Sequence, residues 1–158
     1  MSTKIKRSQV LTYINTTPLA AATYVLLGDG VVSGKITYNP KTTEETYISQ
    51  DSATISLESY APTLPIEATA KFGDPAYDFI DGLRTGRKVL SDAETTIVNA
   101  WNWKAGGPTA VPAERQSVSI QIDDFGGEGG TAVKINFTIN FIGDPTVGTF
   151  NTSTKAFS

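Results

Sequence analysis

The sequence predicts a mainly β fold, a β-sandwich or barrel of short strands with one flanking α-helix. Two observations carry that reading. The first is a pair of facing stretches, Arg115 to Asp124 and Thr131 to Phe141, that alternate almost without error around the glycine-rich Phe125-Gly126-Gly127-Glu128-Gly129-Gly130. Val118, Ile120 and Ile122 share one face with Val133, Ile135, Phe137, Ile139 and Phe141, enough apolar surface for a sheet packed on a core. The opposite face holds Ser117, Ser119 and Gln121 with Asn136, Thr138 and Asn140, and apart from Lys134 it reads as nearly uncharged. Ordinary soluble surfaces interleave charges at roughly 25–35% of positions. A wide neutral face therefore points to a channel, a stacking partner or a glycan rather than bulk water.

The second observation is that the remaining segments are short strands punctuated by turns, with a single helix signal among them. That order favours a sandwich or barrel over repeated βαβ units.

In chain order, residues 1–20 lack clear periodicity and carry Lys4, Lys6 and Arg7, which reads as an arm or a frayed terminus. Tyr24–Gly28 and Val31–Tyr38 read as strands around the Gly-Asp-Gly turn at 28–30. Asn39-Pro40 interrupts regular structure, and residues 40–52 form a long Thr/Glu-rich loop with little to bury. Ala53–Tyr60 alternates, and Leu64–Phe72 is a further strand. The helix over residues 74–86 is sharply marked. Asp74 suits the N-cap, Pro75 the first helical position, and Tyr77, Phe79, Ile80 and Leu83 make an apolar stripe that ends near Gly86. Thr95–Trp103 reads as a strand, Ala105-Gly106-Gly107-Pro108 as a turn, and Gly143-Asp144-Pro145 as the end of the second long strand, before a short tail with Phe150 and Phe157.

Composition narrows the function. At 158 residues the chain is most simply one domain. Its formal net charge of −3 argues against a nucleic-acid binder, which needs basic patches to neutralise phosphates. Absence of both cysteine and histidine removes thiol nucleophiles, the usual zinc sites and the Ser-His-Asp triad. The first ten residues carry basic groups with no apolar run behind them, so no secretory signal is expected. Apolar runs such as Tyr24–Leu27 are far short of the ~20 residues of a membrane span. No catalytic, metal or cofactor site is expected.

Each candidate for chemistry has a plainer reading. The glycines at 126–130 precede a strand, whereas a phosphate cradle opens a helix. Gly28 to Lys35 is one residue too long for a Walker loop and continues with Ile36 where Ser or Thr should stand. Asp123-Asp124 with Glu128, or Asp78 with Asp81, are the conceivable acid/base pairs; strict alternation turns 123 and 124 to opposite faces, and 78 and 81 suit a solvated helix side. Trp101 and Trp103, two apart on one strand face, fit either a glycan platform or a core or interface filling. Gly-Asp-Pro recurs at 73–75 and 143–145 as a good turn former.

Several stretches together resemble the major tail protein, the tail tube protein, of long non-contractile-tailed bacteriophages. They are Tyr24 to Val31, Thr37 to Lys41, Ser59 to Pro65, Lys71 to Pro75 running into Phe79 to Arg84, Ala113 to Gln116 through Asp123 to Gly130, and Asn140 to Pro145. The resemblance spans about residues 20 to 150, and its motifs are turn and strand chemistry rather than a site.

The resemblance implies a small β-sandwich or barrel whose copies form stacked hexameric rings, a tube through which DNA passes into the host cell. It implies a tape measure protein and tail-tip or terminator proteins as partners, transit of DNA without specific binding, and a place in the virion tail after assembly in the bacterial cytoplasm. In that setting Ser117, Ser119, Gln121, Asn136, Thr138 and Asn140, or the polar face of Glu67 and Thr69, are candidates for the lumen. Lys41, Thr43, Glu44, Glu45 and Tyr47 are candidates for a ring-stacking loop, with the N-terminal arm as a second tie. Lys134 is expected either to point elsewhere or to be balanced by acids such as Asp123 and Glu128. The alternatives are the tube of a phage-derived bacteriocin or secretion machine, and a carbohydrate-binding β-sandwich module built on Trp101 and Trp103.

Overall fold

The computed structural model describes residues 1–104 and 107–158. A 3-10 turn at Arg7–Gln9 leads into β1 (Val10–Asn15), followed by β2 (Tyr24–Leu26), β3 (Val31–Gly34), β4 (Lys41–Glu45), β5 (Thr54–Ser59) and β6 (Thr63–Thr69). Helix α1 (Pro75–Thr85) comes next, then a 3-10 turn at Leu90–Ala93 and β7 (Glu94–Trp101). The long strands β8 (Val111–Gly126) and β9 (Lys134–Asn151) and the short β10 (Ala156–Phe157) complete the chain. Of the turn expected at 105–108, residues 105 and 106 lie outside the described residues. One antiparallel sheet runs β2-β1-β7-β8-β9-β6-β3, with β10 against the far half of β9, and β4 and β5 make a separate hairpin.

The strand order forces the sheet to curl. β2 and β3 flank the Gly-Asp-Gly turn as expected but do not pair; β2 lies on β1 and β3 on β6, at opposite edges. A flat sheet of seven strands would separate its edges by about 29 Å. The chain from Leu26 to Val31 reaches at most about 18 Å. The result is a curled half-barrel with α1 on its flank.

Strands from both edges contribute to one apolar cluster, which places that cluster on the concave side. It joins Ile14, Leu64, Ile66, Ile97, Val118, Ile120, Ile135, Phe137 and Ile139 to Ala76, Ile80 and Leu83 of α1. Helix α1 forms as expected. The Asp74 carboxylate accepts from the Tyr77 amide at 3.1 Å, and Pro75 opens the first turn. A second cluster, with Tyr13, Tyr24, Val98, Val111, Ala113 and Phe150, lies on the other face under β10. Neighbours such as Tyr13 and Ile14, or Ile97 and Val98, divide between the clusters because successive strand residues point to opposite faces.

That double burial explains the largest departure from expectation. Residues 10–15, read as part of an arm, form β1 inside the sheet, between β2 and β7. A strand covered on both sides has no polar alternation to display. The polar members of the run are satisfied internally: Thr12 Oγ1 donates to Asn99 Oδ1 at 2.8 Å, and Thr95 Oγ1 donates to the Asn15 carbonyl at 2.6 Å.

Three further expectations are corrected. Residues 40–52 are not loop throughout, because Lys41–Glu45 pair with Thr54–Ser59 as a β-hairpin, β-branched threonines favouring extended backbone even without burial, and only residues 46–52 of that range belong to the connection. β9 does not stop at Gly143-Asp144-Pro145 but continues to Asn151, and Gln116 alone opposes those three residues in a bulge between the pairs Ser117–Ile142 and Arg115–Thr146. Val133 lies ahead of β9 and is substantially exposed, its carbonyl accepting from the Ala70 amide at 2.8 Å.

Candidate functional site

The eight candidate lumen residues lie on one continuous surface. Cross-strand pairing sets Ser119 opposite Asn140 and Gln121 opposite Thr138, while Glu67 of β6 lies opposite Asn136 of β9 and Thr69 opposite Lys134. Paired residues share a face, so the two alternatives read from the sequence, the β8–β9 set and the Glu67–Thr69 set, are parts of the same surface. All eight are exposed or half-buried on the face turned away from the concave core.

Side chains on this surface form a chain of hydrogen bonds. Asn140 Nδ2 donates to Gln121 Oε1 at 3.3 Å, and Gln121 Nε2 donates to Asp123 Oδ1 at 2.6 Å. Thr138 Oγ1 reaches the other oxygen of Asp123 at 2.7 Å, and Asn136 Nδ2 donates to Asp124 Oδ1 at 2.7 Å. Asp123 and Asp124 therefore act on the same face, contrary to strict alternation. The cause is a bulge between the pairs Ile122–Phe137 and Asp124–Asn136, which inserts one residue and returns Asp124 to the polar side.

The face is consequently acidic rather than neutral. Lys134 does lie on it, its ammonium donating to Thr69 Oγ1 at 3.1 Å. Against Lys134, and Arg115 two residues before Ser117 on the same strand face, stand Glu67, Asp123, Asp124 and, through its pairing with Ser119, Glu94 of β7. Glu67 and Asp123 are legible in the sequence, whereas Glu94 joins the face only through register and Asp124 only through the bulge.

The candidate ring-stacking residues lie on the hairpin. Lys41, Thr43, Glu44 and Glu45 are on β4, and Tyr47 is in the connection, its hydroxyl donating to Glu45 Oε2 at 2.8 Å. Between Lys41 and Tyr60 only Thr43 and Thr54 are even half-buried. The hairpin's base is pinned to the body by paired bonds between Thr37 and Thr63, both 2.8 Å, and by the Asn39 amide on the Ala61 carbonyl at 3.0 Å.

The conceivable acid/base groups are engaged elsewhere. Asp78 accepts from the Gly73 amide at 3.2 Å, and Asp81 pairs with Arg84 at 2.7 Å. Burial, reinforced by Asp81, pushes the Tyr77 phenol up, and burial does the same to Tyr13. Among the described residues no group of three or more acidic, histidine or cysteine side chains is arranged to hold a metal ion. Trp103 is not on the strand with Trp101 but on the following 3-10 turn, because β7 ends at Trp101. The two rings stand 5.7 Å apart and tilted by 49°, each partly covered, rather than as one flat platform.

No family model matches this sequence, and no curated protein is detectably similar to it. Solved structures do share its fold. A chain from the tail of an empty GTA particle, refined with C6 symmetry, superposes with a TM-score of 0.67 at 10% identity, over 90% of this chain and 98% of that one. A chain from the sheath/tube terminator of an extracellular contractile injection system (PVC, extended state) gives 0.54 at 10% identity, covering 93% and 98%. A chain from the six-fold symmetrised baseplate of the anti-feeding prophage gives 0.52 at 12% identity, covering 93% and 97%. The half-barrel with one flanking helix is thus a fold shared with chains from the tail of a GTA particle, a contractile injection system and the anti-feeding prophage baseplate.

Proposed function

We propose that this chain is a structural, non-enzymatic subunit of a tail tube, self-assembling into stacked hexameric rings whose bore conducts DNA. The observation that carries the reading is the continuous polar face across β8, β9 and β6, backed by a full apolar core, on a fold shared with a chain of a C6 tail. Six copies placing that face inward would line a bore with hydroxyls, amides and an excess of carboxylates. Such a wall repels phosphates and offers no array of cations to hold them by counterion release. Lateral contact between subunits would cover sheet edges that are otherwise open to pairing.

The proposal includes the long non-contractile type of tail, a place in the virion, and a tape measure protein and tip or terminator proteins as partners. The alternative reading is the tube of a phage-derived bacteriocin or secretion machine.

Negative-stain electron microscopy of the concentrated full-length protein tests this reading. Rings or tubes of uniform bore with six-fold averages are expected. A protein that stays monomeric at every concentration, and alongside preformed tail-tip complexes that supply a nucleus, overturns it.

A further inference from the structure

The concave side of the sheet continues past its apolar cluster. Ile97 belongs to that cluster, and register carries the same side from its partner Gln116 to the pair Asn99–Glu114 and on to Trp101. There the sheet opens into a cavity of about 790 Å³, within the size range of ligand pockets, whose other wall is the stem of the β4–β5 hairpin. None of the candidate lumen residues or the candidate ring-stacking residues lines it.

Three aromatic rings border this cavity with their faces unclaimed. Tyr38 and Tyr60 are 54% and 57% exposed, and their rings stand edge to face with centroids 6.1 Å apart. Asn39, beside Tyr38, holds a left-handed φ of 46° while its amide donates to the Ala61 carbonyl at 3.0 Å, which fixes the stem. Trp101 supplies the third ring. Among the described residues, cations stand over Phe125, Trp103, Phe157 and Tyr13, and over none of these three.

The charge of the lining has one sign. Glu58, Glu114 and Asp144 border the cavity, and no lysine or arginine does. Glu58 is paired with Lys41 at 3.5 Å, whereas Glu114 and Asp144 form no ion pair among the described residues. An aromatic and acidic lining attracts an organic cation and turns away phosphates and other anions.

Two buried amides give the cavity direction. Asn99 is 1% exposed, and its Oδ1 accepts from Thr12, but its Nδ2 has no partner among the described residues. Gln116 is 3% exposed and uses Nε2 on the Ile142 and Gly143 carbonyls, leaving Oε1 without a donor. Polar groups this deep are ordinarily paired. One asks for an acceptor and the other for a donor, which a peptide group supplies together and a simple amine does not.

We infer that this cavity binds a lysine or arginine side chain carried on a peptide segment of a partner protein. The cation lies among Tyr38, Tyr60 and Trp101 and is balanced by Glu114 and Asp144, while the peptide backbone meets Asn99 Nδ2 and Gln116 Oε1.

The probes are acetyl-Gly-Lys-Gly-amide and its arginine counterpart, titrated into the full-length protein at fixed ionic strength. Trp103→Phe leaves Trp101 as the one tryptophan, and calorimetry on the wild type gives a readout independent of fluorescence. Saturable binding that shifts Trp101 emission is expected, with no response to acetyl-Gly-Gln-Gly-amide. Glu114→Gln with Asp144→Asn should weaken it at least about tenfold, and Tyr60→Leu at least about threefold, with both variants still folded by circular dichroism. The inference is overturned if neither peptide binds up to about 10 mM, or if the folded Glu114/Asp144 variant binds as the wild type does. Equal binding of the glutamine peptide or of methyl glucoside removes the cation, and spermidine binding as tightly as the peptides removes the partner segment.

Discussion

The Arg7 guanidinium grips the Gly34 carbonyl from two nitrogens, Nε at 3.2 Å and Nη2 at 3.1 Å, and so ties the entrance of β1 to the end of β3. β3 is one edge of the sheet, and β1 lies second from the other. One exposed side chain therefore spans the seam that the curl leaves open, while its Nη1 donates to the Val10 carbonyl at 2.8 Å.

Cutting that tie should loosen the seam without unfolding the core. Arg7→Ala is expected to cost about 1 kcal/mol, the scale of solvent-exposed hydrogen bonds from a charged group. Amide exchange should rise selectively in β3 and the start of β1. Exchange that rises uniformly across the sheet would mean the bond contributes to global rather than seam stability.

Gln116 is expected to matter more, because its amide is buried and fills the bulge in β9. Its Nε2 donates to the Ile142 carbonyl at 2.6 Å and to the Gly143 carbonyl at 3.0 Å. Gln116→Leu keeps the approximate volume but leaves those carbonyls without their donor, a loss of about 2–4 kcal/mol. Urea unfolding measures it, and an unchanged midpoint would show that the bulge holds itself.

Lys71 reports on the turn that joins the two sheet edges. Its ammonium donates to Asp29 Oδ1 at 2.7 Å, and that hydrogen bond, with the charge of Asp29 behind it, raises the lysine above its ordinary value. A folded value above the unfolded one means the contribution is complete below the unfolded pKa and disappears as pH climbs through the raised one. Asp29→Asn should return Lys71 toward its ordinary value in an NMR titration. The melting temperatures of variant and wild type should differ at neutral pH and converge at the alkaline end.

The acidic face predicts the effect of reducing its negative charge. Ser117→Lys with Asn140→Lys places two cations on the proposed wall without setting them directly opposite each other. In assembled particles DNA release should slow, and the slowing should fade at high salt, since phosphate binding is driven by counterion release. Ejection kinetics equal to wild type at low salt would remove this face from the lumen.

Much of this architecture is legible wherever burial is one-sided. The alternation from Ser117 to Ile122 and from Ile135 to Phe141 marks the long hairpin and its core face, and Asp74 with Pro75 marks the helix start, because each signal is local chemistry. Glu67 and Thr69 are visible as candidates for the same reason. Strand β1 is not, because Tyr13 and Ile14 are both buried and the run Val10–Asn15 shows no alternation. The partners of β2 and β3 are likewise invisible, since a turn-forming Gly-Asp-Gly says where the chain bends and not which edge each strand joins.

The acidity of the polar face belongs to the tertiary structure too. It arises from a bulge at Asp123-Asp124 and from acids that register brings in from β6 and β7. Local sequence determined the strands of the long hairpin, where the helix begins, and which side of that hairpin faces the core, because period and capping are properties of neighbouring residues. Only the fold decided edge partners, bulges and the charge of the assembled face, because those depend on residues far apart in the chain meeting across a curled sheet.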